Sequence, residues 1–348
     1  MTAEAKSVRG GARRAATSVA DGSQLMSSPE SIVSLAGAAA GAVTATLPSA
    51  AADRASSVGP AVETVPVPPR RWRGSLAPLM LAGGIGALGV LRQRFQHGQM
   101  FLPERYPNGL WQPESYGVAA EDVWFSSADG TRLHGWWMPA RRARGTVLYC
   151  HGNAGNITNR IGAYRLLHRA RLNVFAFDYR GYGRSEGRPS EPGVLADARA
   201  AHDSLVNEIE ESPERILFFG HSLGGAIAID CALHRRGVGL VVQSSFTNVR
   251  EMARVRFPSL PLHLVARNQF RSLDKVSQVT IPKLFIHGTA DETIPVRLGR
   301  RLFEQASDPK EWYEVPHAGH NDVPLHGGLR YLWKLIGFAK RAIRGARS

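Results

Sequence analysis

Cysteine is nearly absent: the 348-residue chain carries two, Cys150 and Cys231. Each sits in an apolar run, which reads as a buried free thiol and argues against a disulfide framework or a thiolate metal site. Lysine is scarce too, six against 37 arginines. The net charge is nonetheless +14, a balance that suits nucleic acid, an anionic membrane surface or an acidic substrate. There is no zinc-finger spacing and no aromatic-plus-basic RNA motif, so no nucleic-acid partner is expected. Aromatic residues are missing before Trp72. Apolar side chains are plentiful, 43% of the total, enough for a sizeable core in one large domain or two small ones.

Residues 1–72 are rich in Ala, Ser, Gly and Val and end near a stiff "VPVPP". They show no period and read as a disordered low-complexity region. A transit peptide would carry fewer acids than Glu4, Asp21, Glu30 and Asp53. From Gly74 to Leu91 no charge occurs. As a helix this stretch would be about 27 Å long, the lower limit for crossing a bilayer. The expectation is a transmembrane helix over 73–92, with Trp72 at the interface, making the protein membrane-associated by a single-pass anchor. The competing readings are a signal-peptide core or a buried helix. Arginines flank both ends, so no orientation follows. Residues 93–120 read as a linker.

From 121 to 345 short apolar runs alternate with helical patterns. "VWFSSADGTRLHGWWMPA" reads as a hairpin turning at Asp129-Gly130. Strands are expected at 146–150, 173–178, 216–219, 239–243, 282–288 and 311–315. Helices are expected near 158–170, 192–210, 224–235, 296–306 and 328–344. Continuous apolar strands alternating with helices mean an α/β fold with a mostly parallel sheet, covered on both faces. In the second helix Leu195, Ala198, His202, Leu205 and Ile209 share one face, with Asp197 off it.

"RILFFGHSLGGAIAIDCAL" sets Ser222 between glycines where a strand should become a helix. In a parallel sheet, sites form at the carboxyl ends of strands. A tight turn there exposes the serine oxygen, and flanking glycines let the two backbones approach. A serine hydroxyl needs a base, and the base needs an orienting group. The chain order for this arrangement is serine, acid, histidine. Asp291, in "LFIHGTADETIP", is the expected acid, with Glu292 as competitor and helix capping as the alternative role. His320, in "EWYEVPHAGHND", is the expected base, with His317 as competitor. The oxyanion hole is expected from the amides of Leu223 and of Asn153, in "HGNAGN". In "FDYRGYG", Asp178 is expected to bond loop amides and Arg180 to pair with a carboxylate.

These motifs together resemble the α/β-hydrolase fold over roughly 121–345. "HGNAGN", "FDYRGYGRSEGRPSE", "GHSLGGAIA", "SSFTNV", "IHGTADETIP" and "AGHND" are similar to one branch, with an amino-terminal hydrophobic segment and a short lid, here about 246–281. That branch includes hydrolases that remove fatty acyl groups from protein cysteines, and lysophospholipase-like and bacterial relatives. The resemblance implies Ser222, Asp291 and His320 as a triad. The cysteine-rich tail of the protein-deacylating members is absent here. The expectation is a serine hydrolase of carboxylic esters or thioesters, acting on a small-molecule or lipid acyl substrate. The same triad also serves peptidases and acyltransferases, and a non-catalytic tethered binding protein is the rival outside enzymes. The chemistry calls for no metal or organic cofactor. The arginine-rich lid reads equally as a membrane-surface contact or as a half-buried cover with solvated arginines. Nothing in the sequence fixes an oligomeric state.

Overall fold

Strands rich in Val, Leu, Ile and Phe need a dry environment on both faces, and the sheet supplies it. In the computed structural model, residues 100–256, 258–259 and 269–346 are described, all within the larger of two units, Arg73–Ser348. Eight strands form the sheet: β1 (Glu121–Ser126), β2 (Arg132–Met138), β3 (Gly145–Cys150), β4 (Leu172–Phe177), β5 (Ile216–His221), β6 (Gly239–Gln243), β7 (Lys283–Gly288) and β8 (Lys310–Val315). Their spatial order is β8-β7-β6-β5-β3-β4-β2-β1. The β1–β2 and β2–β4 pairs are antiparallel, and all other pairs are parallel.

Burial follows position in the sheet. Every residue of β3, β4, β5, β6 and β7 is buried, whereas the edge strand β1 buries only Phe125. Helices α1 (Ile161–Arg169), α2 (Glu191–Asn207), α3 (Leu223–His234), α4 (Val249–Arg256), α5 (Ser272–Val276), α6 (Val296–Gln305) and α7 (Val323–Gly345) complete the fold. Tyr164 and Leu167 of α1 pack with Tyr331, Leu335 and Phe338 of α7 in one apolar cluster. Leu195 and Leu205 of α2, Ile227 of α3 and Leu302 of α6 belong to a second cluster. Each fully buried Phe, Leu or Ile stabilises the fold by about 1.5–3 kcal/mol. The sheet is therefore rigid where its strands end, and the site is built there.

Residues 100–120 do more than connect. Leu102–Pro103 pair in parallel with Ala154–Gly155, and Pro113–Tyr116 form a 3-10 turn. Asp197 corrects the helical-face reading. It lies off the apolar face of α2 yet is fully buried, because the Arg180 guanidinium meets it at 2.8 Å. The expected membrane anchor is also corrected. Among the described residues no helix is long and apolar enough to cross a membrane. The longest, α7, carries Arg330, Lys334, Lys340, Arg341 and Arg344, and such charges are costly inside a bilayer. The single-pass anchor, the membrane-associated localisation and the membrane-surface partner therefore lack support. The segment they rested on, 73–92, lies outside the described residues, as does the region 1–72.

Candidate active site

The backbone at Ser222 departs from both the strand before it and the helix after it. Its φ is 58° and ψ is −121°, a region that side-chain-bearing residues enter only under strain. Gly220 and Gly224 make the turn possible. A Cβ on Gly220 would lie 2.2 Å from the Gly224 carbonyl oxygen, and one on Gly224 would lie 2.0 Å from the Cys150 oxygen. The end of β6 clamps the turn: the Ser222 amide donates to Gln243 O at 2.9 Å, and Ser245 Oγ donates to Ser222 O at 2.9 Å.

Two loops at the same sheet end reach the serine. Ser222 Oγ lies 3.0 Å from His320 Nε2, and His320 Nδ1 lies 2.8 Å from Asp291 Oδ2. The carboxylate can only accept, so Nδ1 carries a proton and Nε2 is left to accept from the hydroxyl. Asp291 makes contacts on both sides. Its Oδ1 accepts from the amides of Thr293, at 3.0 Å, and Ile294, at 2.8 Å, while Oδ2 faces the histidine. Burial would raise the Asp291 carboxyl, but hydrogen bonds from His287 and His320 and the Ile294 amide outweigh it and hold the group well below the usual carboxylate range. The competitors lie elsewhere: Glu292 and His317 are exposed.

Three histidines support this line and were not singled out in the sequence. His287 Nε2 donates to Ile294 O at 2.8 Å and lies 3.3 Å from Asp291 Oδ2. His221 Nε2 donates to His320 O at 3.1 Å. His151 Nδ1 donates to Gly152 O at 2.7 Å. The signal available for each was its place at a strand end.

The "HGNAGN" loop is held by its carbonyls. His151 O accepts from Tyr179 Oη at 2.9 Å, and Gly152 O from the His151 ring. Asn153 O accepts from Tyr182 Oη at 2.8 Å and from the Leu102 amide at 3.0 Å. Ala154 O accepts from Arg160 Nη2 at 2.8 Å, and Gly155 O from the Glu104 amide at 3.1 Å. Because a peptide's N–H points opposite its C=O, pinning Gly152 O also orients the Asn153 amide. A Cβ on Gly152 would lie 3.4 Å from Ser222 Cβ, so this loop runs beside the serine. The Leu223 amide heads α3, where a helix leaves its first N–H groups without helical partners.

The "FDYRGYG" loop braces that arrangement from behind. Asp178 Oδ1 accepts from the Ile157 amide at 2.9 Å. Arg180 bonds Asp197, Asp129 and Ser127. Both agree with the structural roles expected of them. Asp178 Oδ1 is 3.6 Å from His151 Nε2, and both side chains are fully buried. Burial pushes the Asp178 carboxyl up to about 8 and the His151 imidazole down to about 3. Burial thus disfavours charge on both groups.

A serine-bearing turn after the fifth strand, an aspartate after the seventh and a histidine after the last, on a mostly parallel sheet covered by helices, fit the α/β-hydrolase fold. The comparisons agree. The family described as serine aminopeptidase, S33, matches residues 141–271. The α/β hydrolase domain-containing protein WAV2 of Arabidopsis thaliana is 34% identical over 280 residues, covering 72% of this chain and 90% of its own. Uncharacterized protein Rv2307c of Mycobacterium tuberculosis is 41% identical over 212 residues, 60% of this chain and 75% of its own. Among solved structures, the Pyrococcus furiosus esterase Pf2001 superposes with a TM-score of 0.59 at 22% identity, covering 70% of this chain and 98% of its own. An α/β hydrolase from Vibrio vulnificus gives 0.57 at 21%, covering 64% and 82%. The chain belongs to the α/β-hydrolase family, and as such it is a hydrolase acting on a small-molecule substrate.

Proposed function

We propose that the chain is a serine hydrolase of carboxylic ester or thioester bonds, on acyl-lipid or acyl-protein type substrates. The observation that carries the reading is the hydrogen-bonded line from Ser222 through His320 to Asp291, with the serine on a strained turn. Ser222 Oγ attacks the carbonyl carbon as its proton passes to His320 Nε2. Asp291 orients the ring and stabilises the imidazolium. The oxyanion accepts hydrogen bonds from the Leu223 and Asn153 amides, and one such donor is worth about 100- to 1000-fold in rate. The proton on Nε2 goes to the leaving alcohol or thiol, and an acyl-enzyme remains. Water, deprotonated by His320, cleaves it and restores the serine.

The aminopeptidase named by the family description uses the same groups. A free α-ammonium would need an acid beside the serine, and Arg160 sets a positive charge there instead, which favours the ester reading. The Pyrococcus protein of the same fold is an esterase. An acyltransferase would differ only in the acceptor that replaces water. The deciding experiment is a panel of p-nitrophenyl esters of rising chain length, with Ser222→Ala as control and added alcohols as competing acceptors. Turnover by the wild type alone supports the reading. Failure of the wild type both to turn over any ester and to react with a fluorophosphonate would defeat it.

A further inference from the structure

Among the described residues, Arg160 is a partly buried cation without an acidic partner. It closes the 3-10 turn Ile157–Arg160 and is the N-cap residue of α1. Its hydrogen bonds run to two carbonyl oxygens, Ala154 O at 2.8 Å and Asn159 O at 3.5 Å, and among the described residues none runs to a carboxylate. Its Nε is buried without any partner. Burial pushes the Asp178 carboxyl, which the Arg160 charge acts on, up to about 8. A guanidinium normally finds a carboxylate or phosphate when it is partly buried. Local rules broken without internal compensation point to function.

The place of the charge gives the function. A Cβ on Gly152 would lie 3.4 Å from Ser222 Cβ, 3.5 Å from His221 Nδ1 and 3.7 Å from Arg160 Nη2. Serine and guanidinium thus flank one point of the oxyanion loop. After burial and His320, Arg160 also lowers His221, so its charge is felt at the residue beside Ser222. We infer that Arg160 is a receptor for an anionic group, a carboxylate or phosphate, carried by the substrate a few bonds from the scissile carbonyl. The inference rests on the hydrolase reading above and adds a substrate class to it. The guanidinium fork matches either anion, and the oxyanion itself remains with the two amides.

Matched ester pairs test this on the full chain. On the acyl side, mono-p-nitrophenyl succinate is compared with p-nitrophenyl butyrate. On the alcohol side, 1-butyryl-glycerol 3-phosphate is compared with 1-butyryl-glycerol. The readout is the anionic-to-neutral ratio of kcat/KM, which cancels any loss common to both substrates from the missing brace on Ala154. The wild type is expected to favour the anionic member of at least one pair by about tenfold or more, as one charge-assisted contact provides. Arg160→Gln is expected to erase that preference, Arg160→Lys to keep part of it, and added salt to weaken it. The pair that responds tells which side of the bond carries the anion. A wild-type ratio at or below one in both pairs, or a ratio untouched in Arg160→Gln, overturns the inference. Absence of turnover on the neutral esters is a failure of the hydrolase reading. Calorimetric binding of succinate and glycerol 3-phosphate to wild type but not to Arg160→Gln then still decides for Arg160, and equal binding decides against it.

Discussion

His221 Nε2 lies 3.1 Å from the carbonyl oxygen of His320, so the residue before Ser222 holds the backbone of His320. The carbonyl can only accept, and burial, with His320 and Arg160 nearby, pushes His221 down to about 3. A neutral ring donating through Nε2 therefore persists at any working pH. His221→Ala removes this donor and frees the histidine loop. About one hydrogen bond's worth of positioning, roughly 1 kcal/mol, is about fivefold in kcat. Steady-state kinetics on a p-nitrophenyl ester should show kcat falling by that order with KM little changed. A rise in KM alone, with kcat unchanged, would contradict the role.

At Ser222 stability and activity oppose each other. The positive φ is sterically costly for any residue with a Cβ, by about 1–3 kcal/mol. Ser222→Ala keeps the strain and loses the nucleophile. Ser222→Gly loses both. Both variants should lose about 10⁴-fold or more in kcat. Only the glycine variant should gain stability, by about 1 kcal/mol, read as a higher denaturant midpoint with unchanged slope. Equal midpoints would show that the turn is not strained.

The strands and the order serine, aspartate, histidine were legible because each depends on local chain pattern. Short continuous apolar runs alternating with helical patterns read as central strands, and glycines two residues either side of a serine at a strand end allow a tight crossing. The supporting histidines were not legible. His221 contacts a residue 99 positions away, and His151 and Asp178 meet across 27 positions, so no spacing signals them. Helix α7 was expected from 328 but begins at Val323. Gly328, with φ 50° and ψ −133°, interrupts the helical backbone there, and the glycine pair at 327–328 reads as a boundary when it is an interruption. Pro324 just inside the start was the better marker. Asp197 shows the limit of periodicity: a face is assigned as polar by its residues, yet a guanidinium from another loop can bury it.

Acid should unfold the protein through its histidines. Burial lowers His134, His151, His202 and His221 below the ordinary 6.5. The unfolded chain takes up protons there that the folded chain refuses, so stability falls as pH drops below 6.5. Asp291 adds to this at lower pH, since its depressed carboxyl loses its contribution once the unfolded group protonates. His202 lies outside the site, its Nε2 donating to Arg236 O at 2.7 Å. His202→Gln keeps a donor and cannot titrate. Denaturant midpoints from pH 7 to 4 should decline less steeply in His202→Gln, by up to about 1.4 kcal/mol per pH unit, one proton's worth. Parallel curves would refute the assignment.

Rising pH should act through Asp178, with the opposite sign. Its carboxyl titrates near 8 in the fold against 3.8 unfolded. The folded state keeps a proton that the unfolded state has given up. Stability from this group is therefore complete below about 4 and is lost as pH rises to about 8. Asp178→Asn is close in shape, still accepts from the Ile157 amide and never ionises. The variant should match the wild type near pH 4 and exceed it increasingly up to pH 8, with the gap level above that. Its ester hydrolysis should also persist to higher pH, because the His151 ring that holds Gly152 O is no longer facing a buried charge. A wild type whose stability is flat between pH 5 and 8 relative to Asp178→Asn would mean that the carboxyl is ionised throughout, and that the buried pair is an ion pair instead of a shared neutral contact.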